Sequence, residues 1–128
     1  MLFARILLTV QGVALMGFGL AYFIKPQEMA NLTGMLLMAP AAVTDVRAYY
    51  GGLQLGLGVF MLLALARLDL LRPALSLLVL IYAAVALGRL SGLWLDGGEQ
   101  QTFNLYAMIF EILSSILAFL ALRGLRRS

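Results

Sequence analysis

The sequence contains no cysteine and no histidine. That excludes disulfides, thiolate chemistry and soft-metal sites, and it removes the commonest acid–base group that works near neutral pH. Charge is also scarce. Only 12% of the 128 residues are charged and 63% are hydrophobic, against about 25% and about 45–50% in a typical soluble chain. A soluble domain of that composition would need a core larger than a chain of this length can enclose. The spare apolar surface must therefore face lipid. The net charge of +3 does not indicate nucleic acid, because the arginines are scattered between apolar runs and read better as a topology signal.

A spanning helix needs about 20 mostly apolar residues to cover a hydrocarbon core of ~30 Å. Four stretches satisfy this: 3–24, 48–66, 74–95 and 104–123. Lys25-Pro26 closes the first, Arg67 the second, and Arg72-Pro73 leads into the third. The first is too long for a signal-peptide core and lacks a small-x-small cleavage pattern, so it reads as a retained span. The expected fold is all-α, an integral membrane antiparallel four-helix bundle forming one domain over 1–128. The long connection after the first span is partly apolar over 32–43, and Met35-Leu36-Leu37-Met38 suggests a short interfacial helix there.

Arg5, Arg67, Arg72, Arg123, Arg126 and Arg127 fall on one side of this arrangement, opposed only by Asp69. Lys25, Glu28, Asp45, Arg47, Asp96 and Glu99 fall on the other. The positive-inside rule then places both termini in the cytoplasm. Tyr22, Tyr49, Tyr50, Trp94, Phe103 and Tyr106 sit near the outer boundary as an aromatic belt.

Charges inside a span are costly and seek partners. Arg89 and Glu111 are such charges, each about 10 Å below the outer end of its helix by helical rise. Their spans are joined by a short loop, so a charge-assisted, bidentate bridge between them is expected. Gln54 reaches the same level, Arg47 and Tyr50 share its helix face, and Tyr82 lies on the face of Arg89 seven residues before it; these six residues form the candidate polar layer. It has two readings: a structural lock between helices or a ligand site. Gly52 and Gly56 make a GxxxG pattern, with Gly51 and Gly58 alongside and Gly12, Gly17 and Gly19 in the first span, read as helix-packing positions within the bundle or between two copies. No residues are assigned to catalysis, to a metal or to a cofactor.

The segment Arg47-Ala-Tyr-Tyr-Gly-Gly-Leu-Gln-Leu-Gly-Leu-Gly58, with Gly88-Arg89 and Glu111, resembles a bacterial family of four-span membrane proteins of unknown function allied to the DoxX/DoxD-like group. The resemblance covers most of the chain from Asp45 onward. It implies an antiparallel four-helix bundle and little about activity. Where the allied proteins often carry Glu in the second span this chain has Gln54, which weakens any proton-linked role.

With no nucleophile motif, phosphate loop or carboxylate cluster, the expectation is a protein that is not an enzyme. An accessory subunit of a larger membrane complex is the first reading, its partners being membrane lipid and a membrane protein or a second copy, without nucleic acid. A binder of a lipophilic molecule with a polar head, such as a quinone or phospholipid, is the alternative. A small multidrug-type transporter is third, because such proteins need an unpaired carboxylate in the first span and this chain has Gln11 there.

Overall fold

A computed structural model describes residues 1–97 and 101–127, the last two by backbone alone. Glu99 and the side chains of Arg126 and Arg127, which enter the charge argument above, lie outside the described residues. The helices are α1 (Leu2–Ile24), α2 (Pro26–Asn31), α3 (Pro40–Val46), α4 (Leu53–Ala66), α5 (Leu71–Leu95) and α6 (Thr102–Arg127). A π-helical turn, Arg47–Gly52, joins α3 to α4, and a 3-10 turn, Leu68–Leu70, precedes α5. There is no strand among the described residues.

Four helical stretches are long and apolar enough to cross a bilayer: Leu2–Ile24, Pro40–Ala66, Leu68–Leu95 and Thr102–Leu125. Even the shortest, at 23 residues, measures about 35 Å, more than the ~30 Å of hydrocarbon. Exposed apolar side chains mark them further. Ile6, Val10, Val13, Leu20 and Ile24 recur at helical spacing along α1, and Leu105, Ile109, Ile112, Ile116 and Leu120 along α6. The protein is a small all-α, multi-pass membrane protein.

The second span begins eight residues earlier than the sequence suggests, and the interfacial helix expected over 32–43 is not one element. Gly34, at φ +83, takes the left-handed conformation that closes α2. Met35 N–H donates to the Ala30 carbonyl at 3.1 Å and Gly34 N–H to that of Asn31 at 3.0 Å. These are the two bonds of a Schellman cap, which prevents the helix from continuing. Residues 35–38 then run without helical structure. Ala39 is extended, as a residue before proline prefers, and Pro40 opens α3 at its first position. The apolar run Met35–Met38 is therefore a strap between two helix ends.

Two structural units can be distinguished. One comprises Leu8–Arg67; the other comprises Met1–Leu7 with the chain from Leu68 onward. In the first, α1 and the second span meet antiparallel at glycines. A Cβ built on Gly58 would lie 2.8 Å from the Gly12 carbonyl oxygen, and one on Gly19 would lie 2.9 Å from that of Gly51. The two pairs are seven residues apart on both helices, so they hold one register over two turns and bring the backbones close.

Of the glycines noted in the sequence, the contact uses Gly12, Gly19, Gly51 and Gly58 and not the GxxxG pair. At Gly56 an added Cβ would meet nothing within 4 Å, and at Gly52 only the Arg47 carbonyl oxygen at 4.0 Å. Within this unit the GxxxG pair therefore lies off the close contact with α1 among the described residues. Gly51 and Gly58 make that contact, because the spacing of seven keeps both on the side facing α1.

In the second unit α5 and α6 pack as an antiparallel pair, joined at three levels. Arg72 Nη2 donates to the Leu125 carbonyl at 3.3 Å, Ser115 Oγ donates to the Val79 carbonyl at 3.0 Å, and Arg89 meets Glu111. The buried positions of α6 are Glu111, Ser114, Ala118, Ala121 and Leu125. They alternate by three and four residues, and small side chains at three of them permit close approach.

Candidate functional site

Arg89 lies on the penultimate turns of α5, six residues before Leu95, and Glu111 lies nine residues into α6. Antiparallel packing brings them together. Arg89 Nε donates to Glu111 Oε1 at 2.9 Å and to Oε2 at 3.1 Å. The expected pairing is present, but its form differs. A single N–H is shared by both carboxylate oxygens, where a fork-to-fork pair would use two. The remaining edge of the guanidinium serves another partner, since Nη1 donates to Asn104 Oδ1 at 2.6 Å.

The network continues outward. Asn104 Nδ2 donates to Gln101 Oε1 at 2.9 Å, and Gln101 Nε2 donates to the Gly97 carbonyl at 2.5 Å. Gly97 is left-handed, at φ +82, where α5 has just ended. The chain of bonds therefore ties the ion pair to the turn that closes its own helix. Asn104 stands seven residues before Glu111 on the same face, a spacing visible in the sequence. Its partner was not, because nothing local says that one arginine will divide itself between Glu111 and Asn104.

Arg89 and Glu111 differ in accessibility. The Glu111 side chain is 10% exposed and that of Arg89 27%. Of the five N–H donors of a guanidinium, two are engaged, and three have no partner among the described residues. Gly88 and Gly92 flank Arg89 on one side of α5. A Cβ on Gly88 would meet nothing within 4 Å, and one on Gly92 only Asp96 Oδ2 at 3.5 Å. The surface of α5 at Gly88, the residue next to Arg89, is therefore exposed and uncrowded. Tyr82, two turns below Arg89 on α5, is buried and packs edge-on against Phe110, with ring centroids 6.0 Å apart at 89°.

Arg47, Tyr50 and Gln54 belong to the other unit and serve its local structure. Arg47 Nε donates to the Phe23 carbonyl at 2.8 Å. Phe23 lies in the last turn of α1, whose carbonyls lack helical partners, so Arg47 caps that helix from a neighbour and places its charge at the negative end of the dipole. Tyr50 stacks obliquely on Tyr22, centroids 5.1 Å apart. Gln54 Nε2 donates to the Tyr50 carbonyl at 2.7 Å, within its own helix and beside the π-helical turn. Turns of that kind recur at functional sites. Replacing Arg47 by alanine is expected to lower stability by about 1 kcal/mol, read as a lower thermal midpoint by circular dichroism, with Arg47→Lys recovering part of it.

Chemically, the α5–α6 site is a neutralised ion pair with spare donors beside open space. It can orient a hydrogen-bond acceptor. Among the described residues no group of three or more acidic side chains is placed to hold a metal ion. Comparison with curated proteins and with solved structures finds no match to the chain. A family model does match, over residues 3–122, which is nearly the whole length. The chain belongs to the family defined by a domain of unknown function, DUF4345.

Proposed function

We propose that the protein is a non-enzymatic membrane protein that binds a lipophilic molecule through its polar head at Arg89. The observation that carries this reading is the set of three Arg89 donors that have no partner among the described residues, on a side chain that is 27% exposed. Because Glu111 already balances the guanidinium charge, a neutral acceptor such as a quinone or ester carbonyl suits the site better than a free anion. By helical rise Arg89 stands about 9 Å inside the end of α5, a depth where a head group and an alkyl tail can be served together.

Trp94 is the only tryptophan in the chain and follows Arg89 by five residues. In nanodiscs, a long-chain quinone should quench its fluorescence saturably at one site per chain. Gly88→Leu adds bulk beside Arg89, at a position where an added Cβ meets nothing within 4 Å, and should abolish the saturable phase. Quenching that stays linear with quinone, or is unchanged in Gly88→Leu, overturns the proposal. Lipid extracted from the purified protein distinguishes a quinone from a phospholipid ester.

A second reading, an accessory subunit of a larger complex or a homo-oligomer, is favoured by the open Gly52 and Gly56 face. Co-purification from native membranes decides it. Residence in a bacterial inner membrane, both termini cytoplasmic, and kinship with the DoxX/DoxD-like group belong to the same proposal, supported by the arginine distribution and the Arg47–Gly58 segment.

A further inference from the structure

A recess lies in the unit Leu8–Arg67, at the head of the second span. It is an open cleft of about 390 Å³ lined by Met35, Leu36, Leu37, Ala42, Asp45, Val46, Tyr49 and Tyr50. Its volume is within the range of small-molecule sites, about 300–1,000 Å³. Each wall is held in place. The strap carrying Met35–Leu37 is pinned by the Schellman bond from Met35 to Ala30 and by Gln27 Nε2, which donates to the Leu37 carbonyl at 3.3 Å. The opposite wall is α3 and the π-helical turn, with Tyr50 braced by the Tyr22 ring.

The chemistry of the lining is uneven. Asp45 is its one charged side chain, is exposed, and has neither an ion-pair nor a hydrogen-bond partner among the described residues. Tyr49 follows it by four residues, one helical turn on, so carboxylate and ring share a face. Arg47, the nearest cation in sequence, does not line the cleft and donates to Phe23. Counting back from Ala66, Asp45 stands 21 residues up the second span, about 32 Å by helical rise, which is the polar edge of a ~30 Å hydrocarbon core.

From this juxtaposition we infer that the cleft is a binding site for the ammonium head of an amphiphile. The Asp45 carboxylate supplies the counter-charge, and the Tyr49 and Tyr50 rings supply cation–π faces. Met35, Leu36, Leu37 and Val46 receive the first methylenes of the tail. An anionic head would meet a like charge, and a small hydrophilic amine would leave the apolar wall uncovered. The ligand chemistry is common to a free long-chain amine and to an amine-bearing phospholipid.

The test uses the full chain in phosphatidylglycerol nanodiscs, with dodecylammonium as probe and dodecanol as the control of equal tail. Dodecylammonium should raise the thermal midpoint saturably and dodecanol should not. Asp45→Asn should weaken binding about tenfold, with Asp45→Glu retaining most of it and Tyr49→Leu losing part. Asp45 and Tyr49 are exposed, so these variants are expected to fold, which circular dichroism checks. Competition by phosphatidylethanolamine identifies the lipid as the source; its absence identifies the free amine. Equal binding of the two probes, unchanged affinity in Asp45→Asn, or crosslinking from position 45 to a second copy of the chain overturns the inference. Gly88→Leu should leave this binding intact, so failure here is distinct from failure at Arg89.

Discussion

Replacing Arg89 by methionine is expected to cost about 3–5 kcal/mol, the loss typical when one partner of a buried pair is removed. The Glu111 side chain is 10% exposed and takes both its hydrogen bonds from Arg89 Nε. Without that donor a carboxylate is left in an apolar layer with no counter-charge, and Asn104 loses the group that orders its carbonyl oxygen. Removing Glu111 should hurt less, because Arg89 keeps Asn104 and is 27% exposed on its other side. Arg89→Lys should recover only part of the loss, since an ammonium cannot reproduce the planar geometry that reaches Glu111 and Asn104 together.

The check is thermal unfolding in mild detergent, followed by helical circular dichroism. The double variant Arg89→Met/Glu111→Met should recover most of the stability lost in Arg89→Met, because a packed apolar pair carries no desolvation cost. If the single variant is too unstable to purify, the double variant still decides. A double variant no better than Arg89→Met would show that the pair does more than balance its own burial. A single variant as stable as the parent would show that the carboxylate finds another partner.

Adding one methyl group at Gly58 is the second large effect. The new carbon would lie 2.6 Å from Met16 Cγ, 2.8 Å from the Gly12 carbonyl oxygen and 2.9 Å from Met16 N. The methionine side chain can turn aside, but the two backbone atoms can withdraw only if the helices separate. Gly58→Ala should therefore cost about 2 kcal/mol, in the range for overpacking. Gly19→Ala should match it, its Cβ standing 2.7 Å from Leu55 N. Gly56→Ala supplies the contrast: nothing lies within 4 Å of its Cβ, and alanine is the better helix former by about 1 kcal/mol. It should leave the thermal midpoint unchanged or raise it. Equal losses at Gly58 and Gly56 would mean that close packing of α1 on the second span is not what these glycines serve.

These two cases show why some of the architecture was legible and some was not. The Arg89–Glu111 contact could be read because two charges within apolar runs, on spans joined by a short loop, have few ways to avoid exposure to lipid. The packing glycines could not be chosen, because Gly51, Gly52, Gly56 and Gly58 are all present and a helix face is fixed only when a partner covers it. Gly52-x-x-x-Gly56 has the familiar pattern, whereas the contact uses the spacing of seven that the antiparallel register with Gly12 and Gly19 imposes. The strap at 35–38 differs from the interfacial helix expected there for a related reason. An apolar run looks like a helix until the left-handed Gly34 and the proline at 40 are weighed as a stop and a start.

Determined by sequence alone were four spans, the approximate ends of all but the second, which starts at Pro40, and the pairing of Arg89 with Glu111. These follow from apolar length against a fixed bilayer thickness and from the cost of an isolated charge in lipid, both properties of the chain and its solvent. Tertiary structure decided how the arginines divide their donors, with Arg47 going to the Phe23 carbonyl and Arg89 shared between Glu111 and Asn104. It also decided which glycines bring backbones together, and that a strap, a carboxylate and two tyrosines line one open cleft. Each of those depends on the register between segments distant in sequence, set to within an ångström or two by packing, a quantity that hydropathy and local spacing do not contain.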